Sequence, residues 1–315
     1  MINIDKLVLA FRTRLEEGGR EINLFNGIEK AIEKIDKHNN PPNIDIWDYE
    51  KYGIIEQPYR FGKTELKWVD IKKIKTHFRY NYYVLVNNIK IGLLQWGTFG
   101  NCRNYGYLNL LNESLYNDTW KLYKQAVKDL GLCVYRISKL DLAFDSVINP
   151  TKRYLEAVKD KRNEIVINGD IIKDRSKLLL SPYFITYGTL DDPLKYPQIH
   201  FATKDKSTTI KVYNKTEEVE NNSHKEYIKE KYNEIEKDIY RCEVSLSSHT
   251  LDRIVWDIAE KNNELGYMES LDYLLERLED NNYLLQLHKD SMYRMIRYSH
   301  KTKKRKTILS YYNIN

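Results

Sequence analysis

Apolar and polar residues alternate with a period of two in three short segments: Ile137 to Asp145 (ISKLDLAFD), Thr209 to Lys215 (TIKVYNK) and Tyr240 to Leu246 (YRCEVSL). Successive side chains of a β-strand point to opposite faces, so each segment packs one face on a core and shows the other. On the first, Leu140, Leu142 and Phe144 go one way and Asp141, Ala143 and Asp145 the other. On the second, Ile210 and Val212 oppose Lys211, Tyr213 and Lys215, and on the third Cys242, Val244 and Leu246 oppose Arg241, Glu243 and Ser245. Placed in one sheet, these strands bring a tyrosine, carboxylates and cations onto a single surface.

The pattern elsewhere fills in the architecture. Asp5 to Arg14 reads as an opening strand, broken at Glu17-Gly18-Gly19 before a helical pattern over Ile22 to His38. Asn39-Asn40-Pro41-Pro42 punctuates the chain, and Ile44 to Thr76 has no clear period. Asn81 to Gly97 is two apolar runs about Asn87-Asn88, a β-hairpin signature, and Asn104 to Leu111 is a further strand. One helix is predicted over Ser114 to Gly131, closed by the glycine, and another from Asn149 to Asp160 with Pro150 in its first turn. Cys133 to Ser146 is a long strand, Pro182 to Leu190 and Gln198 to Lys215 are strand-like, Lys215 to Asp238 is charged and helical, and the pattern from Thr250 to about Arg297 is helical. Strands first and helices last imply an α+β fold with a mostly antiparallel sheet and flanking helices. The expected division is a catalytic region over residues 1–248 and a helical C-terminal region over 249–315 with a basic tail.

Composition narrows the classes. A chain of 315 residues with 42% hydrophobic content can bury one large core, or a main core plus a helical appendage. The net charge of +6, from 51 basic and 45 acidic residues, favours an anionic partner only weakly. The 26 tyrosines accompany abundant Lys, Asn and Ile, residues of A/T-rich codons, so no tyrosine is notable for its type alone. Cys102, Cys133 and Cys242 are odd in number and widely spaced, which argues against both disulfides and a zinc ribbon. Without a secretory signal pattern or a membrane-length apolar run, the expected location is the cytoplasm.

The polar strand faces carry the candidate chemistry. Asp141 and Asp145 stand four apart, Glu243 comes from a second strand, and an oxygen-only ligand set suits Mg²⁺ or Mn²⁺ better than zinc. The alternative is that these acids are surface carboxylates on a solvated sheet. Tyr213 is a packing aromatic or a nucleophile; it falls in phase with Lys211 and Lys215, which could stabilise a phenolate or developing oxyanion. Arg241 is either a structural partner of Glu243 or a phosphate grip. The run His300 to Lys306, with Lys303, Lys304 and Arg305, is a solvated tail or a source of nonspecific phosphate contacts.

The order of these segments resembles the rolling-circle replication initiators of the trans-acting Rep type found on plasmids, phages and integrative elements. The likeness covers roughly residues 5–260: DKLVLAF, a hairpin with QWG, a helix containing Trp120, then RISKLDLAFDS, YGT, IKVYNKTEE and YRCEVSL. The resemblance implies a palm-like sheet of the nicking-endonuclease kind. It implies acidic metal ligands on Leu140 to Asp145, and a Tyr-x-Lys-x-x-Glu motif at Tyr213, Lys215 and Glu218 whose tyrosine nicks DNA and stays on the 5′ phosphate. An Arg-x-Glu strand follows at Arg241 and Glu243. The implied roles are Tyr213, Lys215 and Arg241 in catalysis; Asp141, Asp145, Glu243 and Glu218 at a Mg²⁺ or Mn²⁺ ion; and Lys211 with the basic tail on DNA. The implied partner is double-stranded origin DNA with a single-stranded or hairpin nick site; a host helicase and a second copy of the chain are further partners that no residue pattern specifies. Lys139 and Leu140 depart from the usual motif, residues 189–197 match nothing in it, and the sequence has no His-hydrophobic-His metal motif. Rival readings are a conjugative relaxase with the same chemistry, a DNA-binding protein without catalysis, and a metal-dependent hydrolase that uses water.

Overall fold

The computed structural model describes residues 2–13, 59–69, 78–98, 105–150, 160–173, 184–186, 198–203, 205–220, 237–262 and 265–300. The helices expected over Ile22 to His38 and Asn149 to Asp160, and the basic residues Lys303, Lys304 and Arg305, lie wholly or almost wholly outside these. The chain divides into two compact units, one of Lys6–Ser138 and one of Met1–Asp5 with Lys139–Asn315. The architecture is α+β, a large and mostly antiparallel sheet with flanking helices.

The unit Lys6–Ser138 is built on β1 (Ile2–Thr13), β2 (Tyr59–Phe61), β3 (Thr64–Trp68), β4 (Phe78–Val86), β5 (Ile89–Thr98) and β6 (Tyr105–Leu110). Their hydrogen-bonded order is β1-β6-β5-β4-β3-β2, each pair antiparallel. The β4–β5 hairpin turns on Asn87 and Asn88, both left-handed at φ 50° and 66°. Asparagine tolerates that region, and two such residues in succession match the right-handed twist of the flanking strands. The single helix expected over Ser114 to Gly131 is instead α1 (Asn112–Tyr116), a 3₁₀ turn at Thr119–Leu122 and α2 (Tyr123–Asp129). Asp118 breaks it with φ 58°. The break lets Trp120 bury itself against Tyr123, ring centroids 5.8 Å apart, and packing outweighs helical continuity. Asp129 at the end of α2 accepts hydrogen bonds from Lys63 N, Thr64 Oγ1 and Gln125 Nε2 at 2.7–2.9 Å, pinning the helix to the β2–β3 turn.

The other unit holds the second half of β7 (Leu132–Ser146), then β8 (Asn163–Ile167), β9 (Asp170–Ile171), β10 (Phe184–Thr186), β11 (Gln198–Ala202), β12 (Thr208–Asn214), β13 (Tyr240–Ser247) and β14 (Ile296–His300). Its helices are α3 (Lys215–Glu218), α4 (Ser248–Lys261), α5 (Tyr267–Arg277) and α6 (Asn281–Met295). Strands run β10-β11-β12-β13-β7, each neighbouring pair antiparallel, and β14-β8-β9 form a small separate sheet. The helical pattern predicted through Arg297 therefore ends early. Ile296 leaves α6 in an extended conformation and pairs with Ile167, an escape that buries both apolar side chains.

The apolar faces of β7, β12 and β13 are buried: Leu140, Leu142, Phe144, Ile210, Val212, Cys242, Val244 and Leu246. Helix α6 closes on them at two points. Met292 Sδ lies 3.5 Å from Cys242 Sγ, and His288 Nε2 donates to the Cys242 carbonyl oxygen at 3.0 Å. Among the described residues no helix is long and apolar enough to cross a membrane.

Burial holds the His288 imidazole at a pKa of about 4. The unfolded chain takes up this proton near the ordinary value of about 6.5, so between those values it holds more protons than the native state and stability falls as the pH is lowered. The shift corresponds to about 3 kcal/mol when complete. Urea denaturation across this range should show the loss, and His288→Gln, although less stable at neutral pH, should lose less on acidification.

Candidate active site

Registers across β11, β12, β13 and β7 arrange the polar face in three rows. Gln198, Tyr213, Arg241 and Asp145 stand opposite one another; His200, Lys211, Glu243 and Ala143 form the next row; Ala202, Thr209, Ser245 and Asp141 the third. Asp141, Tyr213 and Glu243 thus share one face of one sheet, as alternation predicts. The same register puts the apolar residues on the opposite face against the helices.

Tyr213 is the centre of the arrangement. Its hydroxyl donates to Glu243 Oε2 at 3.3 Å, and Lys215 Nζ lies 5.8 Å from its ring centroid. Tyr213 is near the end of β12, and the chain turns directly into α3. Asn214 caps that turn by accepting from Glu217 N, while Lys215 N donates to the Ile239 carbonyl oxygen at 2.7 Å. This turn fixes Lys215 under the phenol, buried, with its ammonium 2.5 Å from Glu218 Oε2. Strand and cap together set the spacing of the Tyr-x-Lys-x-x-Glu segment.

Arg241 is fully buried. Its Nε and one terminal nitrogen donate to the two oxygens of Asp145 at 2.7 and 2.8 Å, and the other terminal nitrogen donates to Asp5 Oδ1 at 2.7 Å. The guanidinium expected on a phosphate is thus held by two carboxylates. Asp145, expected at a metal, has both oxygens on that guanidinium, and Glu218 is paired with Lys215. Asp141 is buried, accepting from Ser245 Oγ and lying 3.4 Å from Lys139 Nζ. Among the described residues no three His, Cys, Asp or Glu side chains stand together as a ready metal cage.

The electrostatics follow from burial and from this crowd of acids. Burial pushes the Tyr213 phenol well above its usual value; Arg241 opposes the shift while Glu243, Asp5 and Glu218 add to it. The phenol is therefore fully protonated at neutral pH and needs a proton acceptor to react. Glu243 is pushed up by burial and then by Asp5 and Asp141, which makes its carboxylate a stronger base. Lys215 is pushed down by burial and by Arg241, with Glu218 holding it up. Taken together, the face offers a hydroxyl nucleophile, a carboxylate facing it and lysines for an anion.

Two residues of this face escaped the sequence reading. Asp5 sits in an apolar-rich opening strand whose partner is remote in the chain, so nothing local marked it. His200 had a readable signal: in QIHFA it alternates with Ile199 and Phe201, both buried.

Removing one partner of a buried pair strands the other charge, so Arg241→Ala and Asp145→Ala should each lower the unfolding free energy by about 3–5 kcal/mol. Asp5→Ala should cost less, because its carboxylate is partly exposed. Urea denaturation at neutral pH measures all three.

No protein-family profile matches the chain, and no curated protein matches its sequence. Among solved structures the chain is similar to a rolling circle replication initiator protein from Geobacillus stearothermophilus, with 13% identity, a TM-score of 0.39, and coverage of 92% of this chain and 96% of that one. A likeness of that depth transfers no residue role to this chain.

Proposed function

We propose that this protein nicks one strand of DNA by transesterification through Tyr213, as an initiator of rolling-circle replication. The observation that carries the reading is the Tyr213 hydroxyl directed at Glu243 Oε2, 3.3 Å away, on a face that also holds Lys211. An aromatic that merely packed would belong on the opposite face with Ile210 and Val212.

In the proposed step the Tyr213 oxygen attacks phosphorus and its proton passes to Glu243. The phosphorus bond to the 3′ oxygen breaks, that oxygen takes up a proton to become a free 3′ hydroxyl, and the 5′ phosphate remains on tyrosine. Reversal reseals the strand, because the phosphotyrosine ester keeps the phosphodiester's bond energy. Lys211 offers charge to the phosphate; Lys215 stabilises the developing negative charge at the phenol oxygen. Arg241 stays in place between Asp145 and Asp5 and acts on Tyr213 only through its field.

A hard divalent ion fits the donors on this face. Burial and two neighbouring acids already disfavour the charge on Glu243, a crowding that a cation relieves, and Mg²⁺ needs only one or two carboxylates beside phosphate oxygens and water. Glu243 and Asp141 are the residues that would hold Mg²⁺ or Mn²⁺, which when bound would withdraw charge from the scissile phosphate. The segment order from LDLAFD through YNKTEE to YRCEVSL supports the assignment to replication, with the 3′ hydroxyl as primer and origin DNA as substrate.

Incubation of supercoiled origin plasmid with protein and Mg²⁺ or Mn²⁺ should give a nick blocked at its 5′ end by covalently bound protein. Tyr213→Phe should abolish the adduct, and Glu243→Gln should slow its formation by about 10²–10⁴-fold. An adduct that persists in Tyr213→Phe removes the assignment.

A further inference from the structure

Strand β11 brings onto this face a side chain that the nicking step leaves unused. His200 stands directly across from Lys211, which stands across from Glu243, and it is one diagonal step from Tyr213. Its Nε2 is shielded from solvent and has no hydrogen-bond partner among the described residues. Buried polar atoms are almost always paired, and an exception calls for a physical reason. Ser270 Oγ and His288 Nδ1 share the condition, but both belong to helices in the core. His200 is on the polar face, beside the nucleophile.

Its surroundings define the missing partner. Burial and the charge of Lys211 both keep the ring neutral, so it retains one N–H to donate. A group seated between a lysine ammonium and an imidazole N–H must accept hydrogen bonds, and an anion does so best. Glu243, the carboxylate across from Lys211, is already turned to Tyr213. Among the described residues no acceptor remains for it, and a ligand on this face would supply one.

We propose that His200 and Lys211 together hold a non-bridging phosphate oxygen of the DNA strand, at the phosphodiester next to the one that Tyr213 attacks. The proposal rests on the nicking reading and adds to it where the strand lies: along β11 and β12, on the side of Tyr213 away from Arg241. His200 is a binding residue for the substrate backbone. Its unpaired nitrogen is a small loss of stability kept for that contact, as happens where a site must be complementary to a ligand rather than to itself.

The test uses the full chain with a fluorescein-labelled, mixed-sequence single-stranded DNA followed by fluorescence anisotropy, together with thermal unfolding. His200→Leu should weaken binding about tenfold, the worth of one hydrogen bond to a charged acceptor. Its melting temperature should equal or exceed that of the wild type, because the unpaired atom is gone. His200→Gln, which keeps an N–H donor, should bind within about threefold of the wild type. If His200→Leu melts lower and binds DNA as the wild type does, His200 is a packing residue and the proposal falls, while adduct formation through Tyr213 stands unaffected. A wild-type chain that binds no DNA overturns both.

Discussion

The buried guanidinium of Arg241 is the constraint on which the rest of the site depends. A charge without solvent is tolerable only when paired and fully hydrogen-bonded, and here Asp145 supplies two acceptors and Asp5 a third. The three residues come from β13, β7 and the first residues of the chain. Their mutual need for charge balance fixes the register of β13 on β7 and draws Asp5 to the same spot. Tyr213, directly opposite Arg241 on β12, inherits its position from that arrangement. Burial on this crowded face, reinforced by Asp5 and opposed by Arg241, is why the phenol and Glu243 both hold their protons more firmly than usual.

The same strands serve two purposes on their two faces. One residue from Arg241, Cys242 is wholly buried against α6, with its carbonyl oxygen taken by His288. The helical layer is thus the rigid backing of the polar face. A shift of one residue in register would exchange the faces, moving Val212 onto the polar side and Tyr213 into the core. The core and the chemistry are therefore held by one register, and Ala143, small and directly across from Glu243, leaves that carboxylate room to face the phenol.

Much of this was legible in the sequence, for local reasons. The hairpin at Asn87-Asn88 follows from the backbone freedom of asparagine, and the three alternating strands from the geometry of an extended chain. The helix expected from Ser114 to Gly131 was misjudged because periodicity does not register Asp118, whose left-handed turn is stabilised by the burial of Trp120. The helical pattern runs on to about Arg297, yet Ile296 pairs with Ile167, a partner more than a hundred residues away. The metal expectation for Asp145 met the same difficulty. A carboxylate in phase with others looks free to bind an ion until its neighbour proves to be a buried arginine.

Local alternation alone determined which face Asp141, Tyr213 and Glu243 occupy, since the direction of a side chain on a strand depends only on its own backbone. Tertiary structure decided with whom each of them is paired. Arg241 meets Asp5 across 236 residues of chain, and Tyr213 meets Glu243 across 30. Such pairings depend on strand order and register, which are settled by the packing of the whole sheet on its helices and by the charge balance of its interior. Face is a property of one residue; partnership belongs to the fold.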